Sequence, residues 1–205
     1  MKLYLVRHAE SERNLGKEHD ILSDTGIEQA KRLGLSLKDK HIDYVYCSTM
    51  GRTKETFNYI SASLKKIKQI NYTDLIREQN TGVFTDRPQK DYSYHLIDLK
   101  DRGVDLSRYR PEGGETLLEV SQRAEKFIKD IKKNHKTKDH ILIVSHAGYL
   151  RFFILGLLKL PLEEAKYFNI HNASLSIFEL DKNFNVKDFQ IDDFKHLLKY
   201  SSYKR

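Results

Sequence analysis

The sequence is poor in several residue types, and each scarcity excludes a class of protein. Its 205 residues include one cysteine, Cys47, which excludes an intramolecular disulfide and a cysteine-based zinc site. The longest apolar stretch, 149–158, contains Arg151 and is far shorter than the ~20 residues that a membrane-spanning helix needs. The chain has only three prolines, and no linker, repeat or low-complexity tract divides it. We therefore expect residues 1–205 to form a single domain.

Location and partners follow from the N-terminus and the charge. The apolar run within Met1–His8 is much shorter than that of a signal peptide, so a cytoplasmic protein is expected. The net charge is +7, and much of the excess lies in residues 126–138, where acidic residues are interleaved. This pattern is typical of a solvated surface, and no aromatic–basic motif accompanies it. Neither a nucleic acid nor a membrane is expected as a partner.

Strand-like and helical patterns alternate along the chain. Apolar runs predict strands at 2–6 and 141–144, and further strands are predicted at 44–47, 70–75, 173–180 and 186–191. Spacings of three and four predict helices at 23–38, 50–65, 116–134 and 149–158, the third opened by a capping box at Thr116. This alternation predicts an α/β fold, a three-layer α/β/α sandwich with a mainly parallel central sheet.

Residues 79–114 differ from the rest of the chain because they lack sustained periodicity. They hold two of the three prolines, Pro88 and Pro111, and four aromatic residues that argue against disorder. We therefore predict no regular secondary structure here, and a structureless stretch this long inside a compact domain is usually functional or disordered. We interpret it as a cap inserted over a site.

Polar residues follow three of the predicted strands at their carboxyl ends. Arg7 and His8 follow the first strand, Arg52 comes shortly after the second, and His146 follows the fourth. Ligands of open α/β sheets bind beyond these ends, so the four residues are expected to converge. Two arginines and two histidines without an acidic ligand cluster favour an anion site over a metal site, since the planar arginine fork suits phosphate oxygens. No metal or other cofactor is expected.

These residue types suit transfer of a phosphoryl group. A neutral histidine can act as a nucleophile, and neighbouring arginines favour the neutral form of His8. The leaving alcohol needs a proton from a nearby carboxylic acid. Glu78 is the best-placed candidate, because it follows the third strand and opens the cap.

Five segments carry a recognisable ordered pattern. They are Arg7-His8-Ala9-Glu10-Ser11 with Asn14, Leu22–Gly26 with Gln29-Ala30, Ser48–Thr56, Pro111–Thr116, and Ser145-His146-Ala147-Gly148. This set resembles the histidine phosphatase superfamily, also called the phosphoglycerate mutase-like family, over about residues 1–180. A single Arg-His-Ala match would be unspecific, whereas five matches in order are specific.

The resemblance implies a role for each residue that matches the pattern. His8 would be the phosphoryl acceptor, and Arg7, Arg52 and His146 would form the phosphate pocket. The reaction would then pass through a phosphohistidine intermediate.

The resemblance also assigns roles to three further residues. Asn14 would contact the phosphate or the substrate, and Glu78 matches the proton donor of the family. Ala147 replaces the glycine often found after the second histidine, and its backbone N–H can still donate to a bound anion.

Departures from the mutases of this family favour a phosphatase. Such mutases typically have a tryptophan before the asparagine of the first motif, whereas this chain has no tryptophan and Arg13 precedes Asn14. Ala147-Gly148 also stands where mutases tend to have Gly-Asn. We therefore predict a phosphatase acting on phosphate monoesters of small metabolites. The alternatives are a cofactor-dependent phosphoglycerate mutase, a phosphatase of protein phosphohistidine, and a non-catalytic module that binds a phosphorylated ligand.

Overall fold

A six-stranded sheet forms the centre of the structure, a computed structural model that describes residues 1–15, 19–85 and 87–198. The spatial order of the strands is β3-β2-β4-β1-β5-β6. The strands are β1 (Lys2–Arg7), β2 (Tyr44–Ser48), β3 (Gln69–Thr73), β4 (His140–Ser145), β5 (Leu175–Leu180) and β6 (Val186–Asp193). The first four are mutually parallel, whereas β5 and β6 extend the sheet in antiparallel pairing.

Four helices cover the faces of this sheet: α1 (Asp24–Leu37), α2 (Gly51–Ser61), α4 (Leu117–Asn134) and α5 (Ala147–Leu158). A further helix, α3 (Gln89–Asp101), lies within the predicted cap segment. One face packs against α1 and α2, and the other packs against α4 and α5. The predicted three-layer sandwich with a mainly parallel sheet is therefore confirmed.

The two central strands are apolar on both sides because both of their faces are buried. In β1, Leu3 and Leu5 contribute to the core beneath α4 and α5, whereas Tyr4 and Val6 contribute to the core beneath α1 and α2. The parallel pairing of β1 with β4 brings their carboxyl ends side by side, with Arg7 opposite Ser145. The residues that follow these two strands therefore start from adjacent positions.

Most predicted elements exist and differ from the predictions by only a residue or two at their ends. The predicted capping box is present, because Glu119 N donates to Thr116 Oγ1 at 3.0 Å while Thr116 N donates to Glu119 Oε2 at 2.9 Å. The predicted helix 50–65 is too long, since α2 ends at Ser61 and a turn follows. Leu64 continues the helical spacing of apolar residues in the sequence, because its side chain packs against the same core as α2 although it lies beyond the helix end.

The prediction that residues 79–114 lack regular structure was wrong for α3. This 13-residue helix escaped the periodicity criterion because Leu99 is the only buried apolar side chain on it among those described. A helix without an apolar stripe carries little signal in the sequence.

None of the helices in the described ranges is both long and apolar enough to cross a lipid bilayer.

Candidate active site

The structure brings His8, Arg52 and His146 together at the carboxyl ends of β1, β2 and β4. His8 follows β1 directly, His146 follows β4 and is the N-cap of α5, and Arg52 lies in the first turn of α2. Their side chains are buried, with 3 %, 0 % and 5 % of the residue surface exposed for His8, His146 and Arg52. The ring centroids of the two histidines lie 5.2 Å apart.

The hydrogen bonds of His8 fix which ring nitrogen carries the proton. Nδ1 lies 2.7 Å from the carbonyl oxygen of Ala9, and a carbonyl can only accept, so Nδ1 is the protonated nitrogen. Nε2 then holds the lone pair, and it accepts a hydrogen bond from Nε of Arg52 at 3.2 Å. His8 therefore presents an unprotonated, nucleophilic nitrogen on the side of Arg52.

His146 has the opposite arrangement. Its Nδ1 accepts from Nη2 of Arg52 at 3.1 Å, because a guanidinium can only donate. The proton is consequently on Nε2, which donates to the hydroxyl oxygen of Ser48 at 2.9 Å. The Arg52 guanidinium thus aligns both imidazoles, and Ser48, the last residue of β2, holds the imidazole of His146.

Both histidines are held in the neutral form. Burial lowers the pKa of His8 well below its ordinary value, and the charges of Arg52 and Arg7 lower it further. Burial likewise lowers the pKa of His146, and the positive charges of Arg52, Arg7 and Arg123 lower it further. At neutral pH the positive charge of this site therefore resides on arginines, which suits the binding of a phosphoryl group.

Arg52 is also paired with a carboxylate. Its Nη1 forms an ion pair with Asp20, whose other oxygen accepts from the backbone N–H of Gly51 at 2.6 Å. Because Met50 provides no side-chain cap, Asp20 supplies the acceptor at the N-terminus of α2 from another segment. The carboxylate thereby occupies donors that a phosphate would also use.

Arg7, the last residue of β1, is anchored by the segment before β5. Its Nη1 donates to the carbonyl oxygen of Ile170 at 2.6 Å. The carbonyl oxygen of His8 accepts from Asn172 Nδ2 at 3.1 Å and from Ala173 N at 3.2 Å. This segment therefore fixes the side chain of Arg7 and the backbone of His8.

Glu78 lies against the turn that follows His146. Its Oε2 accepts from Gly148 N at 3.1 Å, and its Oε1 accepts from Tyr149 N at 3.1 Å and from Gln79 N at 3.0 Å. The first two donors belong to the N-terminus of α5, where N–H groups have no partner within the helix. The carboxyl group is consequently held beside the second histidine motif.

The remaining predicted residues are placed as follows. Ala147 is the first residue of α5, so its N–H belongs to the same helix N-terminus. Asn14 lies in a short 3-10 helix, Glu12–Leu15, and its side chain is outside the described part of the structure. In the ranges that the structure describes, no group of three or more His, Cys, Asp or Glu residues is arranged to hold a metal ion.

Sequence reasoning missed Asp20 and Ser48 as partners of the predicted residues. Ser48 belongs to a segment that carried the family pattern, and its position at the end of β2 was a usable signal. Asp20 gave no such signal, because an isolated carboxylate between elements is usually a solvated residue.

Comparison with known proteins shows the family to which this chain belongs. Residues 3–192 match the family described as the histidine phosphatase superfamily, branch 1. Phosphoserine phosphatase 1 of Hydrogenobacter thermophilus is 30% identical over 193 residues, which cover 91% of this chain and 90% of that protein. The adenosylcobalamin/alpha-ribazole phosphatase of Escherichia coli is 28% identical over 197 residues, covering 90% and 92%. The crystal structure of a putative alpha-ribazole-5'-P phosphatase from Escherichia coli has a TM-score of 0.81 at 24% identity, covering 94% of this chain and 96% of that one.

Proposed function

The chain belongs to branch 1 of the histidine phosphatase superfamily, and from this we propose that it is a phosphatase of small phosphorylated metabolites that works through a phosphohistidine on His8. The observation that carries the mechanism is the tautomer of the neutral His8 ring. Its Nδ1–H is bound by the Ala9 carbonyl, and its Nε2 lone pair faces Arg52. A neutral histidine with a defined tautomer is what nucleophilic attack on phosphorus requires.

In the first step Nε2 of His8 attacks phosphorus as the bond to the ester oxygen breaks. Arg7, Arg52 and His146 hold the non-bridging oxygens and balance the charge that develops on them. Glu78 gives its proton to the leaving oxygen, so the alcohol departs neutral. The products of this step are the alcohol, the phosphohistidine and the Glu78 carboxylate.

In the second step water attacks the phosphohistidine. Glu78 takes up a proton from the attacking water, the bond between phosphorus and Nε2 breaks, and inorganic phosphate leaves. His8 returns to its neutral form with the proton still on Nδ1. Asn14 and the N–H of Ala147 are assigned to contacts with the phosphate or the substrate, and no step requires a metal ion or another cofactor.

Residues 79–114 form the cap that selects the substrate in this proposal. An aromatic cluster supports it, since Phe84 contacts both Tyr92 and His95, with ring centroids 5.2 and 4.9 Å apart. Tyr92 is linked to the neighbour of the proposed acid, because Gln79 Nε2 donates to its hydroxyl at 3.3 Å. The cap is thus hydrogen-bonded to the residue beside Glu78.

The decisive experiment is to trap the covalent intermediate. Brief incubation with a 32P-labelled phosphomonoester, followed by denaturation, should leave an acid-labile and base-stable label on His8. The label should be absent from His8→Ala and present in His41→Ala, a control at the opposite end of the sheet. Label retained in His8→Ala would refute the assignment.

The substrate class is tested with a panel of phosphorylated metabolites. Phosphoserine and alpha-ribazole phosphate belong in it because the two similar phosphatases are named for them. Phosphoglycerate isomerisation is measured alongside, and phosphate release should exceed it. Efficient isomerisation with little hydrolysis would instead identify a mutase, and binding of these compounds without turnover would identify a non-catalytic module. The cytoplasmic location stays a prediction from the sequence, which cell fractionation checks.

A further inference from the structure

Arg123, on α4, binds the backbone on the N-terminal side of Glu78. Its Nη1 donates to the carbonyl oxygens of Leu75 and Arg77, each at 2.8 Å. Its Nε and Nη2 donate to the two carboxylate oxygens of Glu115 at 3.2 and 3.1 Å. The side chain is only 15 % exposed, so these bonds are largely shielded from water. A single guanidinium therefore holds two carbonyls and one carboxylate in a fixed geometry.

Glu115 binds the backbone on the C-terminal side of Glu78. Its Oε2 accepts from Asn80 N at 2.9 Å, and its own N–H donates to the Asn80 carbonyl at 2.8 Å. Its carbonyl oxygen also accepts from Gln79 Nε2 at 2.8 Å. The ion pair of Arg123 and Glu115 consequently clamps the chain on both sides of Glu78.

The clamp also reaches the helix that receives the Glu78 carboxylate. The Arg123 guanidinium lies over the ring of Tyr149, 5.2 Å from its centroid, and Tyr149 is fully buried in α5. Tyr149 N in turn donates to Glu78. Residues 77–81 belong to no helix or strand, so side-chain bonds of this kind are needed to fix this stretch of backbone.

We propose that Arg123 and Glu115 are positioning residues for Glu78, and that they control proton delivery to the leaving group. The proposal rests on the general-acid role of Glu78 given under the proposed function. Arg123 and Glu115 affect the reaction only by fixing the position of the Glu78 carboxyl group. Their loss should therefore reproduce the signature of losing that acid and not a general loss of activity.

The test compares two substrates whose leaving groups differ in how much they need a proton from a general acid. Alkyl phosphates release a poor leaving group that requires general acid catalysis, whereas p-nitrophenyl phosphate releases a stable anion. Arg123→Met should lower kcat/KM for alkyl phosphates by about 10–100-fold, and much less for p-nitrophenyl phosphate. Glu115→Gln should show the same contrast, because it breaks the same clamp.

A double-mutant cycle with Glu78→Gln isolates the coupling. Once the acid is absent, Arg123→Met should change kcat/KM for alkyl phosphates by less than about threefold, because residues that act as a unit are not additive. Arg123→Lys keeps the charge near His146 but lacks the planar fork, so it should recover only part of the loss. The matched control is Arg151→Met on α5, which removes an arginine whose Nε donates to the Phe168 carbonyl at 2.8 Å, far in sequence from Glu78.

The possible failures are distinguishable. If Glu78→Gln shows no contrast between the substrates, the general-acid role fails and the positioning role fails with it. If Glu78→Gln shows the contrast but the Arg123 and Glu115 variants lose both activities equally, or lose activity multiplicatively with Glu78→Gln, only the positioning role is overturned. Full activity of Arg123→Lys would also overturn it, because charge alone would then suffice. Circular dichroism of each variant separates these results from unfolding.

Discussion

Replacing Gly148 with alanine would move the proposed acid without removing it. Gly148 lies in the first turn of α5, and a Cβ at this position would stand 2.4 Å from Oε1 of Glu78 and 3.1 Å from its Cδ. The carboxyl group is the flexible end of its side chain, so it would retreat by about 1 Å to reach ordinary van der Waals contact. The shift would disturb the hydrogen bonds from Gly148 N and Tyr149 N.

We expect this displacement to lower kcat/KM for alkyl phosphates by about 10–100-fold, since a misplacement of about 1 Å can cost that much and general acid catalysis provides 10²–10⁴-fold. The loss on p-nitrophenyl phosphate should be several-fold smaller. Stability should change little. Alanine gains up to about 1 kcal/mol over glycine inside a helix, and the weakened bonds to Glu78 offset part of that gain.

Steady-state kinetics on the two substrates and thermal unfolding by circular dichroism measure these effects. Gly156→Ala is the matched control, because it lies in the same helix and its Cβ would meet only the flexible end of Ile128, at 2.7 Å from Cδ1. It should retain activity on both substrates. An unchanged activity of Gly148→Ala, or equal losses on both substrates, would show that the position of Glu78 does not limit proton transfer.

Three further outcomes are expected. Asp20→Asn should tighten inhibition by inorganic phosphate and vanadate several-fold, because it removes a negative charge that competes for Arg52; weaker inhibition would mean that Asp20 mainly orients Arg52. Activity should survive dialysis against a chelator, and a loss restored by adding Mg²⁺ or Zn²⁺ would contradict the mechanism. The free energy of unfolding should decrease as the pH falls below about 6.5, because burial lowers the pKa of His8, His146 and His135. Below this pH the unfolded chain binds protons that the buried histidines of the folded chain do not. Each of these histidines therefore lowers the free energy of unfolding by up to about 1.4 kcal/mol per pH unit, and above its ordinary pKa it has no such effect. Equal urea midpoints at pH 7.5 and 5.5 would refute this last expectation.

The sheet was predictable because its strands carry their signal locally. Central strands buried on both faces read as continuous apolar runs, as in residues 141–144 of β4. The helix α3 was not predictable, since its residues meet almost no core and the hydrophobic pattern reports only contact with a core. The end of α2 was misjudged for the converse reason, because Leu64 touches the core from a turn.

The sequence by itself determined the α/β alternation, the capping box at Thr116, and the residue types that follow each strand. It also indicated which residues converge, because polar groups at the carboxyl ends of parallel strands must share one edge of the sheet. Only the tertiary structure decided the proton positions on His8 and His146, the pairing of Arg52 with Asp20, and the clamp around Glu78. Except for the contact of His8 with Ala9, these features depend on groups far apart in the chain, such as Glu78 and Gly148, which are separated by 70 positions. Local propensity carries no information about such pairs, and burial and hydrogen bonding between them exist only after the layers have packed.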